Sequence, residues 1–475
     1  MENKGENKLS KSLSMFTMIA IAAGAVIGGW LAECPYWYSL TGAGAAFIFP
    51  ILAIFLVPIG LAFAEMSAML PFTSSVAVWT ANATNYRFGW IIQWLMFLIQ
   101  IVEPPICAYI LTTALSFFIE FTQTQTMLIA ITMCVVWYII SNFNISISGR
   151  LADIFFVCMI SISIITMVLF FTSGHWSTEN LLGHGGWFPN GIYGIFLASG
   201  VLTIKYIGFE LTPTLIEETT FPPSQLWKVI LSALFIPALL YGTVVIAIGG
   251  MAPWHELAEM SMPEPELIRS LGLPIIFAWL AILAGSLHGF TTFMGFWTSS
   301  ARVLYGSAQL NMLPPAFKKL NRYGQPYWSN LTVLAFSVFF CIFSASNWVQ
   351  YIYAVSCIAA GLVYFMVCYD AWRLRKTHPE WKRPYKAPFG NWFLFLGMVV
   401  SIWVVVASSL SLDFAGWMSL VVYMLIGLAV IPLMDIYRKN NPGKLEPVIL
   451  TPDDIEKITG NIEGDVFAPN SNVNC

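Results

Sequence analysis

The sequence predicts an all-α polytopic membrane protein with about 12 transmembrane helices, and three observations carry that prediction. Of 475 residues, 58% are hydrophobic and only 10% charged, where a soluble chain carries roughly 25% charged residues. The apolar residues gather in long runs, among them 47–64, 159–171, 229–248 and 399–410. About 20 such residues, rising 1.5 Å each, cross the bilayer core. Of the 22 lysines and arginines, all but Lys205 and Arg269 fall before the first span, in alternate loops or at their edges, or after the last. The positive-inside rule then puts both termini in the cytoplasm of a multi-pass cell-membrane protein.

In chain order the hydropathy gives spans at 15–39, 43–69, 90–119, 126–142, 150–172, 191–216, 226–249, 273–301, 329–346, 348–371, 391–411 and 415–437. The polar start, 1–14, leads into a span too long and too undivided for a signal peptide, so no cleavage is expected. A basic cytoplasmic loop occupies 372–390, and the tail 438–475 is polar and poor in aromatics, which favours a flexible end. Six of the eight cysteines lie inside spans, Cys34 is near the end of span 1 and Cys475 is terminal. No spacing among them suits a metal, so they read as apolar filler.

Two spans carry the wrong residues for a simple membrane helix. Span 1 contains IAAGAVIGGWLAECP, with Gly24, Gly28, Gly29, Glu33 and Pro35. Span 6 contains LASGVLTIKYIGFELTP, with Gly200, Lys205, Gly208, Glu210 and Pro213. Gly24-x-x-x-Gly28 alone would also fit close helix packing. Matched interruptions in spans 1 and 6 point instead to a transporter site between inverted repeats, here 15–172 and 191–371 within a core of 15–371. A broken helix frees N–H groups at one half and carbonyls at the other, which draw a carboxylate and a cation respectively. Such backbone is tolerated in a bilayer only around a ligand or wet cavity. The expected substrate-lining residues are therefore Gly24, Ala25, Val26, Gly28, Gly29 and Trp30 at the first break. At the second they are Ile204, Tyr206, Ile207, Gly208, Phe209 and Glu210.

These stretches resemble those of the amino acid–polyamine–organocation superfamily of secondary transporters, in its amino acid permease type. GAVIGGW resembles its span 1 motif, near G-x-x-x-G-S-G, and LAFAEMSAMLPFTSS resembles the end of its span 2. KYIGFE with EETTFPPSQLWKVI, then SARVLYGSAQLNMLPPAFKKLNRYGQP, then KRPYKAPFG follow in the family's order. The resemblance implies two inverted five-helix repeats with discontinuous helices 1 and 6, two further helices at 391–437, and alternating access. Trp30 departs from it, standing where the family has a small residue, and its indole is expected to narrow the carboxylate pocket or exclude an ordinary α-amino acid backbone. Span 5 offers Ser161 and Ser163 where some proton-coupled members have a lysine, and Gln309-Leu310 replaces the family's Arg-Asp.

Buried charge supplies the remaining candidates. An ionisable residue inside a membrane is a functional hypothesis by default. Glu210 is expected to contact an amine, to gate, or to be satisfied by backbone at the break. Lys205 is expected to pair with Glu210 or Glu103, to anchor a carboxylate, or to carry a proton. Glu103, beside Pro104 and Pro105, is expected to line the site, while Glu33 lines it or faces an outer vestibule. Glu65 reads as a cytoplasmic gate or structural residue, and Asp153 as an interfacial partner of Arg150. Asp370, Asp413 and Asp435 sit at span ends where solvation is cheap. His288 and His175 read as core or loop residues rather than metal ligands. Phe296 and Trp297 approximate an aromatic gate through cation–π contact, and Ser356 is a polar contributor. A sodium ion would take span 1 carbonyls with Thr298, Ser299 or Ser300; a proton would take Glu210, Lys205 or Glu103.

The expected activity is transport of amino acids or their derivatives, as an exchanger or as a proton or sodium symporter. An organic amine or polyamine is the alternative substrate, because Glu33, Glu103 and Glu210 face one lysine. No catalytic cluster, nucleophile motif or phosphate loop argues for an enzyme. No cofactor is expected beyond a coupling ion, and the partners are a small-molecule substrate and the bilayer, without nucleic acid, for a monomer or homodimer.

Overall fold

Broken, capped and proline-bent helices build the whole of the described structure. The computed structural model describes residues 11–27, 29–143, 145–343, 348–443 and 445–455. Gly28, and the tail 456–475 with Cys475, lie outside the described residues. Span 1 is two helices, α1 (Met15–Gly24) and α2 (Trp30–Thr41). Next come α3 (Ala45–Met69), a short α4 (Val76–Ala83), α5 (Tyr86–Ile101), α6 (Glu103–Ser116), α7 (Gln123–Ser141) and α8 (Ile145–Thr172). After α9 (Thr178–Leu182), span 6 is split into α10 (Gly191–Val201), a tight turn of 3-10 helix (Leu202–Tyr206) and α11 (Leu211–Thr214). Then follow α12 (Leu226–Gly249), the connecting helices α13 (Trp254–Glu259) and α14 (Pro263–Ser270), and α15 (Ile275–Thr292). A widened π turn (Phe293–Trp297) leads to α16 (Thr298–Gln309), and α17 (Tyr327–Phe343), α18 (Trp348–Thr377), α19 (Gly390–Ser409) and α20 (Phe414–Asn440) complete the chain.

Ten helical segments among the described residues are long and apolar enough to cross a membrane, and the shorter apolar helices Met15–Gly24 and Tyr327–Ile342 fall in expected spans 1 and 9. The ends are set locally. Ser14, Asn85 and Asp413 side chains accept from the backbone N–H groups of Thr17, Phe88 and Gly416, satisfying donors that a helix start leaves open. Span 3 divides at Val102, directly before Glu103-Pro104-Pro105, because a proline ring cannot accept the preceding helical turn. Large apolar side chains stay exposed around the rim, including Ile154, Val168, Trp403 and Leu425, as a lipid-facing belt requires.

The packing order places the breaks at the centre. α1 lies against α12, α8 and α15, while α10 lies against α19 and α2. At the end bearing the N-terminus, the Ser12 and Leu13 amides donate to the Glu218 carbonyl at 2.9 and 3.0 Å, tying the entry of span 1 to the exit of span 6. Two sequence expectations fail here. Asp370 is fully buried rather than solvated, because α4 folds back onto α18 and Thr80 donates to its carboxylate at 2.5 Å. Asp153 accepts from Thr17 at 3.1 Å, in place of an interfacial pair with Arg150 among the described contacts. Asp435, by contrast, pairs with Arg87 and Arg438.

Candidate functional site

Helix α1 stops at Gly24, and α2 starts at Trp30. Three carbonyls at the break are taken by side chains from elsewhere. Thr291 donates to Gly24 and Thr292 to Ala25, both at 2.8 Å from the end of α15. The Tyr241 hydroxyl of α12 donates to Val26. Backbone that leaves the helical ladder in a buried place must find such partners.

The second break runs through Ile207–Glu210. Here the Gly208 amide donates to the Glu210 carboxylate at 3.0 Å and the Tyr364 hydroxyl donates to the same oxygen at 3.3 Å. Of the readings open for Glu210, backbone satisfaction at the break is therefore realised, and its other carboxylate oxygen is buried without a partner. Tyr206 donates to the Phe49 carbonyl at 2.5 Å, and Cys357 to Val201 at 3.3 Å, holding the segment against α3 and α18. The two breaks touch directly. A Cβ on Gly208 would stand 2.5 Å from the Ala22 carbonyl oxygen, so only glycine lets the chains approach this closely.

Between them lies an ion pair. Lys205 Nζ is 2.5 Å from Glu33 Oε2, with both side chains buried, and lies 5.2 Å from the Tyr353 ring. The expected partners were Glu210 or Glu103; the first turn of α2 instead carries Glu33 inward, so it does not face an outer vestibule. A Cβ on Gly29 would stand 2.0 Å from Glu33 Oε2, so the pair rests against bare backbone at the first break. Glu103 is buried within the field of Lys205, Glu33 and Glu210, and one of its oxygens has no partner. Glu33 and Glu103 thus both face the one ammonium group of Lys205.

Trp30 is buried at the start of α2. Its indole N–H donates to Glu264 of α14 at 3.0 Å, and its ring meets Tyr241 edge-on at 6.0 Å. The indole therefore ties the start of α2 to α14. On the N-terminal face, Arg302 forms a buried pair with Glu218 at 2.8 Å and reaches Gln325 at 3.3 Å. Glu65 is held by Arg375, by the Ala387 amide at 2.8 Å, and by Arg383 at 3.6 Å. It anchors the basic loop.

The remaining candidates are more dispersed. Phe296 and Trp297 are fully buried, Trp297 tilting against Phe293, which stacks on Trp137. In the same π turn it is Gly295 whose missing side chain faces Ala25, Ile21 and Leu211. Ser356 is buried with an unpartnered hydroxyl. Ser299 bonds Gln100 and Thr214 rather than the span 1 carbonyls. The hydroxyls that do reach them, Thr291 and Thr292, lie two turns earlier than expected. Thr291, Thr292, Tyr241, Tyr353 and Glu264 were not singled out from sequence. Only the Thr-Thr step inside an apolar span could have signalled the first pair.

A chain with this many apolar helices, two of its expected spans broken and meeting around buried charge, defines a multi-pass membrane protein. A family profile described as amino acid permease matches residues 13–431, and the chain belongs to that family. It is similar to the D-serine/D-alanine/glycine transporter of Escherichia coli (strain K12), at 28% identity over 50% of this chain and 52% of that protein. Here the chain spans about half the length of the relative it matches. It is also similar to two proteins of Bacillus subtilis (strain 168). One is a gamma-aminobutyric acid permease, at 23% identity over 80% of this chain and 83% of the relative. The other is a branched-chain amino acid permease, at 23% over 90% and 93%.

Proposed function

We propose that the protein is a secondary transporter of small amino acids or close derivatives, working by alternating access as an exchanger or cation symporter in the cell membrane. The observation that carries this reading is the Lys205–Glu33 pair, lodged against Gly29 where the two helix breaks meet. Removing one partner of a buried pair costs about 3–5 kcal/mol, so a ligand bearing one charge leaves an orphan behind. A zwitterion brings both: its carboxylate replaces Glu33 at Lys205, and its ammonium group takes Glu33 or Glu103. The pair thus holds the site together when empty and is traded for substrate when full. Helices 1 and 6 then rock as parts of two inverted repeats between the Trp30–Glu264 closure and the Arg302–Glu218 closure, both termini facing the cytoplasm. The names of these three relatives, each a transporter or permease of amino acids, support the substrate class.

The excess of carboxylates, Glu33, Glu103 and Glu210 against Lys205, favours a cationic amine as the second reading. A thermal-shift screen of purified protein against glycine, alanine, serine, branched-chain amino acids, gamma-aminobutyrate, agmatine and putrescine separates the two. Stabilisation by zwitterions, with matching counterflow in proteoliposomes, is the expected result. A response to agmatine and putrescine alone would replace it with the amine reading.

A further inference from the structure

Between α3, α10 and α19 the outer surface of the fold is indented. A groove with a volume of about 590 Å³ runs there, in the half of the fold away from the N-terminus, and sites for small molecules are of this size. Leu52 and Leu56 of α3 and Val404 of α19 line it and are buried, while Ile51 and Val399, about half exposed, stand at its mouth. Pro50 and Pro58 interrupt α3 within and just beyond this stretch, and a proline inside a helix bends it. Beside the groove α10 and α19 come into contact: a Cβ on Gly200 would stand 2.6 Å from that of Ala407. Ser199 and Trp403 are the lining residues with polar side-chain atoms, and these are already engaged. The Trp403 indole donates to the Ser199 hydroxyl at 2.8 Å, and Ser199 donates to the Phe196 carbonyl at 2.7 Å. No lining side chain has a hydrogen bond to spare for a ligand.

An apolar cavity does not hold water but takes up apolar molecules, and side chains facing empty space forfeit dispersion contacts. The exposed side chains at the mouth belong to the belt that faces hydrocarbon, so the groove is continuous with the lipid interface. A partner helix suits it poorly. Helices associate in bilayers through glycine, alanine, serine and threonine, whereas apart from Ser199 this groove is lined by isoleucine, leucine, valine, phenylalanine and tryptophan. A flexible hydrocarbon chain needs neither small residues nor hydrogen bonds. We infer that the groove is a binding site for an acyl chain of a membrane lipid, in the leaflet away from the N-terminus. Ile195 and Ser199 of the lining lie on α10, which leads directly into the 3-10 turn carrying Lys205. The bound chain therefore braces the first half of span 6 against α3 and α19. This partner is independent of which substrate the central site takes.

The test uses full-length protein in vesicles of palmitoyl-oleoyl phosphatidylethanolamine and phosphatidylglycerol. A trace of the phosphatidylethanolamine carries a photoactivatable diazirine near the end of one acyl chain, and labelled peptides are mapped by mass spectrometry after illumination. Label in 48–56 and 396–404 is expected to exceed several-fold the label around Ile154, Val168 and Leu425, which are at least as exposed as the mouth of the groove. Ile51→Trp and Val399→Trp introduce an indole at that mouth from exposed positions. Each is expected to reduce the groove label several-fold and to leave the label around Leu425 unchanged. Wild-type label that simply follows exposure around the protein overturns the inference, whatever the variants do. Groove peptides labelled less than the other faces, as a second copy seated there would cause, also overturn it. So does groove label that both tryptophan variants leave unchanged.

Discussion

Lys205 reaches from the second helix break to set its ammonium 2.5 Å from Glu33, and both fit there because residue 29 has no side chain. The first break is thus shaped by a charge pair as much as by its glycines.

Filling that space has a calculable consequence. A methyl on Gly29 would meet Glu33 Oε2 at 2.0 Å and Lys205 Nζ at 3.1 Å. Those side chains can move, and overpacking of this kind costs about 1–3 kcal/mol. At Gly208 the obstacle is the Ala22 backbone carbonyl at 2.5 Å, which cannot turn aside. Thermal unfolding in detergent should show Gly208→Ala losing more stability than Gly29→Ala, with counterflow reduced in both. Equal, negligible shifts would mean the breaks do not pack as described.

The pair itself is open to a double-mutant cycle. Lys205→Met and Glu33→Gln should each destabilise by about 3–5 kcal/mol, since each strands a buried charge. Combined, they should cost clearly less than the sum. Chemical unfolding of the four proteins measures the coupling; additive losses would remove the pair from its organising role.

Thr291→Val and Thr292→Val delete the hydroxyls that serve the Gly24 and Ala25 carbonyls while preserving shape. An unsatisfied buried carbonyl costs about 1–3 kcal/mol. Hydrogen exchange should rise in 20–30 and stay level at α19, which packs chiefly on α18, α10 and α3. Uniform change across the chain would indicate global loosening instead.

Glu264 gives a pH signature. It lies outside the spanning helices, and burial pushes its carboxyl above the ordinary value of 4.5. The folded protein therefore binds this proton more tightly than the unfolded chain does. Its contribution to stability is complete below about pH 4.5 and is lost as pH rises through the raised value. Melting temperatures of wild type and Glu264→Gln should diverge across that window, wild type falling relative to the variant. Parallel curves would show that Glu264 is not titrating there.

Much of this was legible in the sequence because a bilayer imposes long apolar runs and leaves few reasons for glycine, proline and charge inside them. The breaks at Gly24–Trp30 and Ile204–Glu210 were found in that way, as was the bend at Glu103-Pro104-Pro105. Pairings were not legible. Lys205 is five residues from Glu210 but 172 from Glu33, its actual partner, and nothing local marks the longer link. Trp30 was read by its position in a motif, and its hydrogen-bond partner, Glu264, is 234 residues away.

The sequence by itself therefore determined a helical, membrane-crossing chain with two matched weak points, since hydropathy and backbone propensity act over neighbouring residues. Only the tertiary structure decided which charges neutralise each other and which hydroxyls cap the freed carbonyls. It also set the Trp30 indole against Glu264 and His288 beside Thr292. Those outcomes depend on helices brought together from distant parts of the chain, where burial forces every polar group to find whichever partner the packing supplies.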